Sequence, residues 1–200
     1  MTTSLAVRDL TKSYAGVPVL DRVSFLTRPG RALALRGSNG AGKTTLLRCL
    51  NGSVRADAGE VLLDGAPCDP GGAAAWTSIY GVLDDFAWFP ELTVGDHLFM
   101  LDPHIEPTDA LGRFGAEHLV DRTAASLSSG QARRAALATT VVRPWDVLLL
   151  DEPEQRLDDD GLGLLVRELK MFLDKGRCVV LSTHSDELHA AIDADELRLA

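Results

Sequence analysis

The chain has no stretch of about 18 consecutive apolar residues, so nothing in it reads as a bilayer-spanning helix. Its first residues, Met1 to Asp9, hold no apolar run of the length a secretory leader needs, and a cytosolic location is expected. Positive charge is in deficit: 20 Lys and Arg stand against 29 Asp and Glu, a net charge of −9. A broad nucleic-acid-binding face, which neutralises phosphates with cations, is therefore not expected. Cysteine is scarce and offers no disulfide framework. Cys49, Cys68 and Cys178 are an odd number with no close pair, and Cys49 and Cys178 read as small core residues in a reducing compartment. Internal repeats are missing too, and the one low-complexity patch, Pro70 to Ala75, reads as a loop.

What is present is a phosphate loop. Gly37-Ser38-Asn39-Gly40-Ala41-Gly42-Lys43-Thr44 places two glycines ahead of a Gly-Lys-Thr step, with Thr45 following. Arg31 to Arg36 alternates like a strand, and Leu46, Leu47 and Leu50 have helical spacing after the loop. Glycines permit positive φ and let backbone N–H groups converge, while a following helix turns its positive end towards an anion. Lys43 would reach the β- and γ-phosphates, and the Thr44 hydroxyl would take a place on Mg²⁺.

Around this centre the chain reads as α/β. Leu5 to Leu10, Val19 to Phe25 and Gly59 to Gly65 are short strands joined by turns, which suggests an N-terminal antiparallel β subdomain beside the nucleotide core. Ile79 to Leu83 is a further strand, and Thr93 caps a helix running to Met100. Residues 91–134, broken by prolines and glycines, form a small helical lobe inserted in a single domain of residues 1–200. Val147 to Leu150 and Cys178 to Leu181 are apolar on every side, as strands of a mostly parallel sheet buried on both faces should be. Helical periodicity over Leu162 to Leu173 lies between them.

Asp151 and Glu152 directly follow the first of these buried strands, which puts their carboxylates at the edge where nucleotides bind in open α/β sheets. Asp151 would support Mg²⁺, and Glu152 would align or deprotonate the attacking water. These motifs define a phosphate-loop NTPase. Leu127-Ser128-Ser129-Gly130-Gln131, placed shortly before the acidic strand, carries the reading further. In this order of motifs the whole chain resembles the nucleotide-binding subunits of ABC transporters, whose signature is Leu-Ser-Gly-Gly-Gln; Ser129 stands where the family has its first Gly.

The resemblance implies roles for further residues. Tyr14 falls where the family stacks an aromatic on adenine, or is an ordinary turn tyrosine. Gln155 to Asp158 stands at the segment that crosses to a second subunit, where Leu157 and Asp158 match the family's usual Ser-Ala-Leu-Asp and the first two residues do not; Asp158 fits a helix cap equally well. His184 matches the switch histidine that contacts the γ-phosphate and holds Glu152 and water. His97, His104, His118 and His189 match no such position and read as surface or packing residues. Asp84 occupies the place of a glutamine that reaches Mg²⁺ and water. As an anion one methylene shorter it either binds the metal more tightly or repels the γ-phosphate, making hydrolysis slow or atypical, or a neighbouring group or water fills the gap and turnover is ordinary; Asp84→Gln tests this through ATP turnover or its coupling to a partner.

The family architecture implies two chains, identical or related, sandwiching two ATP molecules. Each nucleotide would touch Gly37 to Thr45 of one subunit and Ser128, Ser129, Gly130 and Gln131 of the other. With no membrane segment of its own, the chain would energise an integral membrane permease, held by it at the cytoplasmic face of the membrane. Phe86, Trp88 and Phe89 either line the groove for that partner's helix or pack the lobe. A soluble ABC ATPase, or a weakly hydrolysing regulatory subunit, is the alternative function.

Overall fold

The structure is a computed structural model that describes residues 3–83 and 86–199. Its first layer is an antiparallel sheet. Strands β1 (Leu5–Tyr14) and β2 (Val17–Thr27) pair from Leu5 opposite Thr27 to Tyr14 opposite Val17. The connection is only Ala15 and Gly16, both at positive φ (49° and 79°), the backbone of a two-residue hairpin turn whose twist suits the strands it joins. The strands thus extend past the expected Leu10 and start before the expected Val19, because two residues suffice to reverse the chain.

Strand β3 (Ala32–Arg36) enters the phosphate loop and α1 (Lys43–Leu50) leaves it. The chain then returns to the first layer as β4 (Ala58–Leu63) and the two-residue β5 (Ala66–Pro67), giving the order β2-β1-β4-β5. Helix α2 (Ala73–Ser78) follows. Pro70 to Ala75 is therefore not all loop: once Gly72 has turned the chain, the alanines, the best helix formers, begin this helix.

The second sheet is parallel throughout its described pairs, in the order β6-β7-β8-β3-β9, with β6 at Ile79–Val82, β7 at Val147–Asp151, β8 at Cys178–Ser182 and β9 at Asp195–Arg198. Between β6 and β7 run α3 (Val94–Leu101), α4 (Pro107–Gly112) and α5 (Ser129–Ala138); α6 (Asp159–Asp174) links β7 to β8, and α7 (Asp186–Ala191) precedes β9. Thr93 caps α3 through a reciprocal box with Asp96, as its position before an apolar run predicts.

Successive residues of a strand face opposite sides, and here both sides are buried. Leu148, Leu150, Val179 and Leu181 join Phe114, Trp145, Leu169 and Phe172 in a core beneath the helical lobe and α6. Val147, Leu149, Cys178 and Val180 join Leu46, Leu47, Leu50 and the antiparallel layer in a second core. The phosphate loop and the carboxyl ends of β7 and β8 emerge at one edge between these two cores.

Candidate active site

At that edge the chain needs backbone shapes that side chains resist. Gly40 and Gly42 sit at φ of 87° and 92°, and a Cβ on Gly42 would stand 2.8 Å from the Val19 carbonyl oxygen. Ala41 N–H bonds to the Ser38 carbonyl at 3.2 Å, closing the loop, and Leu46 N–H bonds to the Gly42 carbonyl at 2.8 Å, opening α1. A pocket of about 340 Å³ lies here, lined by Val19, Asn39, Gly40, Gly42, Lys43, Thr44, Thr45 and Glu152. A larger cleft of about 920 Å³, lined among others by Cys49, Arg55, Asp57 and Cys68, lies at the far end of α1 and includes no phosphate-loop residue.

Lys43 folds back over its loop, donating to the carbonyls of Gly37 (2.8 Å) and Ser38 (3.1 Å), and its Nζ lies 3.1 Å from His184 Nε2. An ammonium has only donors, so Nε2 accepts and the ring proton resides on Nδ1. His184 Nε2 is also 3.5 Å from Glu152 Oε1. The same ring nitrogen thus stands between the loop lysine and the acidic pair, and transfer of Lys43 to a phosphate would free Nε2, which becomes a donor once it carries a proton, as the other tautomer or as imidazolium.

The Thr44 hydroxyl donates to Asp151 Oδ2 at 2.7 Å, while Ser182 Oγ donates to Asp151 Oδ1 at 2.5 Å. The parallel register that places Asp151 opposite Ser182 makes this contact. Two hard oxygens converging at the loop's first helical turn are the donor chemistry Mg²⁺ accepts, so the residues present fit that ion. Glu152 follows at φ 44°, an uncommon conformation for a side-chain-bearing residue. It is held there because its N–H reaches both the carbonyl (3.1 Å) and the hydroxyl (2.9 Å) of Ser182, and its carbonyl accepts from Arg133 at 2.9 Å. Gln155 Nε2 donates to the second Glu152 oxygen.

Other expected residues stand apart from this group. Ser128 and Gln131 cap α5 reciprocally, Ser128 N–H donating to Gln131 Oε1 at 2.9 Å; Ser128 and Ser129 are exposed, Gly130 half-buried, and none of the four lines the phosphate-loop pocket. Asp158 caps α6 by accepting from Gly161 N–H at 2.9 Å and pairs with Arg134 of α5. The Gly161 bond, with help from Arg134, holds its carboxyl below the usual range. Tyr14 is exposed on the hairpin, with Lys12 Nζ 5.4 Å from its ring centroid. Asp84 lies outside the described residues.

Of the aromatic cluster, Phe86 and Trp88 pack against the core, whereas Phe89 is exposed and stacks on His97. His97 accepts from Phe89 N–H through Nε2 (2.8 Å) and pairs with the Thr93 carbonyl through Nδ1 (2.7 Å), a buried packing histidine as its position implied.

Sequence reasoning missed Ser182, Arg133 and Glu154, and placed Gln155 at a segment crossing to a second subunit rather than on Glu152. Ser182 is a hydroxyl ending an otherwise apolar strand, but its target shows only once that strand is paired with the acidic one. Arg133 carried no signal, since a helical arginine is ordinary until its target is known.

A glycine loop opening a helix, beside a parallel-strand end bearing Asp and Glu, defines a phosphate-loop nucleotide-binding protein. The ABC transporter family model matches residues 20–155. The cytochrome c biogenesis ATP-binding export protein CcmA of Ruegeria pomeroyi is 36% identical over 197 residues, 97% of this chain and 90% of that protein. The cobalt import ATP-binding protein CbiO of Rhodobacter capsulatus is 36% identical over 216 residues, all of this chain and 76% of that protein. A solved structure of an ABC transporter ATP-binding subunit superposes with a TM-score of 0.85 at 25% identity, covering 98% of this chain and 85% of that one. The chain belongs to the ABC transporter family and is one of its ATP-binding subunits.

Proposed function

We propose that this chain hydrolyses ATP as one nucleotide-binding domain of a dimer and thereby drives an integral membrane permease. The convergence of Lys43, Thr44, Asp151, Glu152 and His184 at one sheet edge, with Ser128 and Ser129 of the signature exposed on a different element, carries the reading. Lys43 and the N–H groups of residues 37–45 bind the phosphates. Thr44 and Asp151 would hold Mg²⁺, which supplies charge neutralisation on the phosphates when bound. Glu152 takes a proton from water as the water oxygen bonds to the γ-phosphorus; the bond from that phosphorus to the β–γ bridging oxygen breaks, leaving ADP and inorganic phosphate. His184, freed from Lys43 and with its ring proton on Nε2, donates towards the γ-phosphate. Tyr14 stacks on adenine, and Ser128, Ser129, Gly130 and Gln131 close the partner subunit's nucleotide, with Asp158 at the seam.

ATP then binds the closed dimer better than the open one, so its hydrolysis reopens the pair. Among the described residues no helix is long and apolar enough to cross a membrane; the permease would be a separate chain that holds this one at the cytoplasmic face. Exposed Phe89, Phe99 and Met100 suit the receipt of that partner. The relatives' names include both import and export, so direction belongs to the permease. Glu152→Gln is the test: it is expected to bind ATP, barely hydrolyse it, and dimerise with ATP by light scattering. A strictly monomeric variant at saturating ATP overturns the sandwich. Copurification of a stoichiometric multi-spanning protein from native membranes supports the permease, and copurification with ribosomes or DNA instead would favour a soluble ABC ATPase.

A further inference from the structure

We propose that Glu154 is a positioning residue of the hydrolytic site, an acceptor that hangs the loop carrying His184 on the turn after Glu152. The proposal rests on the ATPase reading above. Glu154 Oε1 accepts from the Thr183 hydroxyl at 2.5 Å and from the His184 backbone N–H at 3.2 Å. The same Thr183 oxygen accepts Ser185 N–H at 3.0 Å, and Ser185 Oγ accepts Leu188 N–H at 3.0 Å as the cap of α7. One carboxylate oxygen therefore gathers residues 183 to 185, the whole connection between β8 and α7.

The location makes this more than loop architecture. The His184 side chain is 50% exposed, so packing does not set where its ring stands between Lys43 and Glu152. The contact with Lys43 and the backbone of residue 184 do, and that backbone is tied to Glu154. Thr183 is fully buried, so without the carboxylate its hydroxyl and the His184 N–H both lose a charged acceptor, the stronger kind of hydrogen bond. Glu154 Oε2 is buried with no hydrogen-bond partner among the described residues. Withdrawing a carboxylate oxygen from water is unfavourable, so the Glu154 side chain is drawn inward by its bonds to the loop rather than resting on the surface. Because Glu154 lies two residues beyond Glu152, the hook joins the general base and the histidine into one unit: a shift of the turn moves both.

The test compares Glu154→Ala with Glu154→Gln, whose side-chain carbonyl still accepts both donors. Glu154→Ala is expected to lower kcat for ATP about tenfold, the scale of a small misplacement of a reacting group, with KM for ATP changed by less than about twofold. Glu154→Gln is expected to stay within about twofold of the parent. A second readout does not depend on turnover. In the nucleotide-free protein the His184 ring nitrogens should report a single tautomer in the parent and in Glu154→Gln, and an averaged one in Glu154→Ala. Parental kcat and parental His184 signals in Glu154→Ala overturn the proposal, as does a Glu154→Gln variant as defective as Glu154→Ala. If Glu154→Ala does not fold, Glu154→Asp, which keeps the charge on a shorter arm, is expected to fall between parent and the tenfold loss; parental values in it overturn the proposal. A parent that binds ATP and never hydrolyses it overturns the ATPase reading instead, and the His184 signals then decide the hook alone.

Discussion

At Asp151 a buried carboxylate is satisfied by two hydroxyls, Thr44 and Ser182, drawn from α1 and β8. Ser182→Ala removes one of them and one acceptor for the Glu152 N–H. We expect a loss of about 1–3 kcal/mol in urea denaturation, the cost of leaving buried polar groups unpaired, and a higher Mg²⁺ concentration for half-maximal ATPase rate. Unchanged stability would mean that water replaces the hydroxyl. Gly42→Ala acts through backbone geometry: at φ 92° with the Val19 carbonyl 2.8 Å from the new Cβ, the loop cannot keep its shape. ATP binding by calorimetry should be lost, and near-parental affinity would show that the loop relaxes. The glycines, Lys43 and Thr44 were legible in the sequence because they are consecutive and their chemistry is local. Ser182 and Glu154 were not, because their targets lie about 30 residues away along the chain and only the pairing of β7 with β8 brings them together.

Helix α6 is tied to the lobe by Glu168, which is 1% exposed and paired with Arg113 just after α4 and with Arg167 beside it. Arg167 also donates to the Arg113 carbonyl at 3.0 Å. Arg113→Ala should cost about 1–3 kcal/mol, less than a wholly buried pair because Arg167 remains, and is measured by chemical denaturation. A cost near zero would place the clamp in Arg167. The elements themselves were legible to differing degrees. Strands β7 and β8 stand out as apolar on every side, and α3 by its cap. Strand β9, Asp-Glu-Leu-Arg, carries no such pattern: it is an edge strand, half wet, defined by pairing with β3 rather than by its own composition.

For the whole molecule, burial of the thiols predicts an alkaline limit. Burial raises Cys49 and Cys178 from an ordinary 9.0 to about 11. A group raised in the folded state contributes stability that is complete below its unfolded value and is lost as pH rises through the folded one. Stability should fall between pH 9.0 and about 11 more steeply in the parent than in a Cys49→Ala, Cys178→Ala double variant; equal slopes would assign the limit to other groups. On the outer surface, Phe99 and Met100 are 53% and 61% exposed at the end of α3. Phe99→Ser with Met100→Ser should weaken copurification with the permease while leaving ATP affinity unchanged, and full retention of the partner would move the docking face elsewhere.

The order of amino acids by itself determined the phosphate loop, the acidic strand end, the signature and hence the family, because each is a short contiguous stretch whose spacing carries its chemistry. Only the tertiary structure decided which hydroxyls hold Asp151, which carboxylate holds the His184 loop, and which aromatics face outward. Those contacts join segments distant in sequence, and a side chain's partner is set by strand register and packing rather than by its neighbours along the chain.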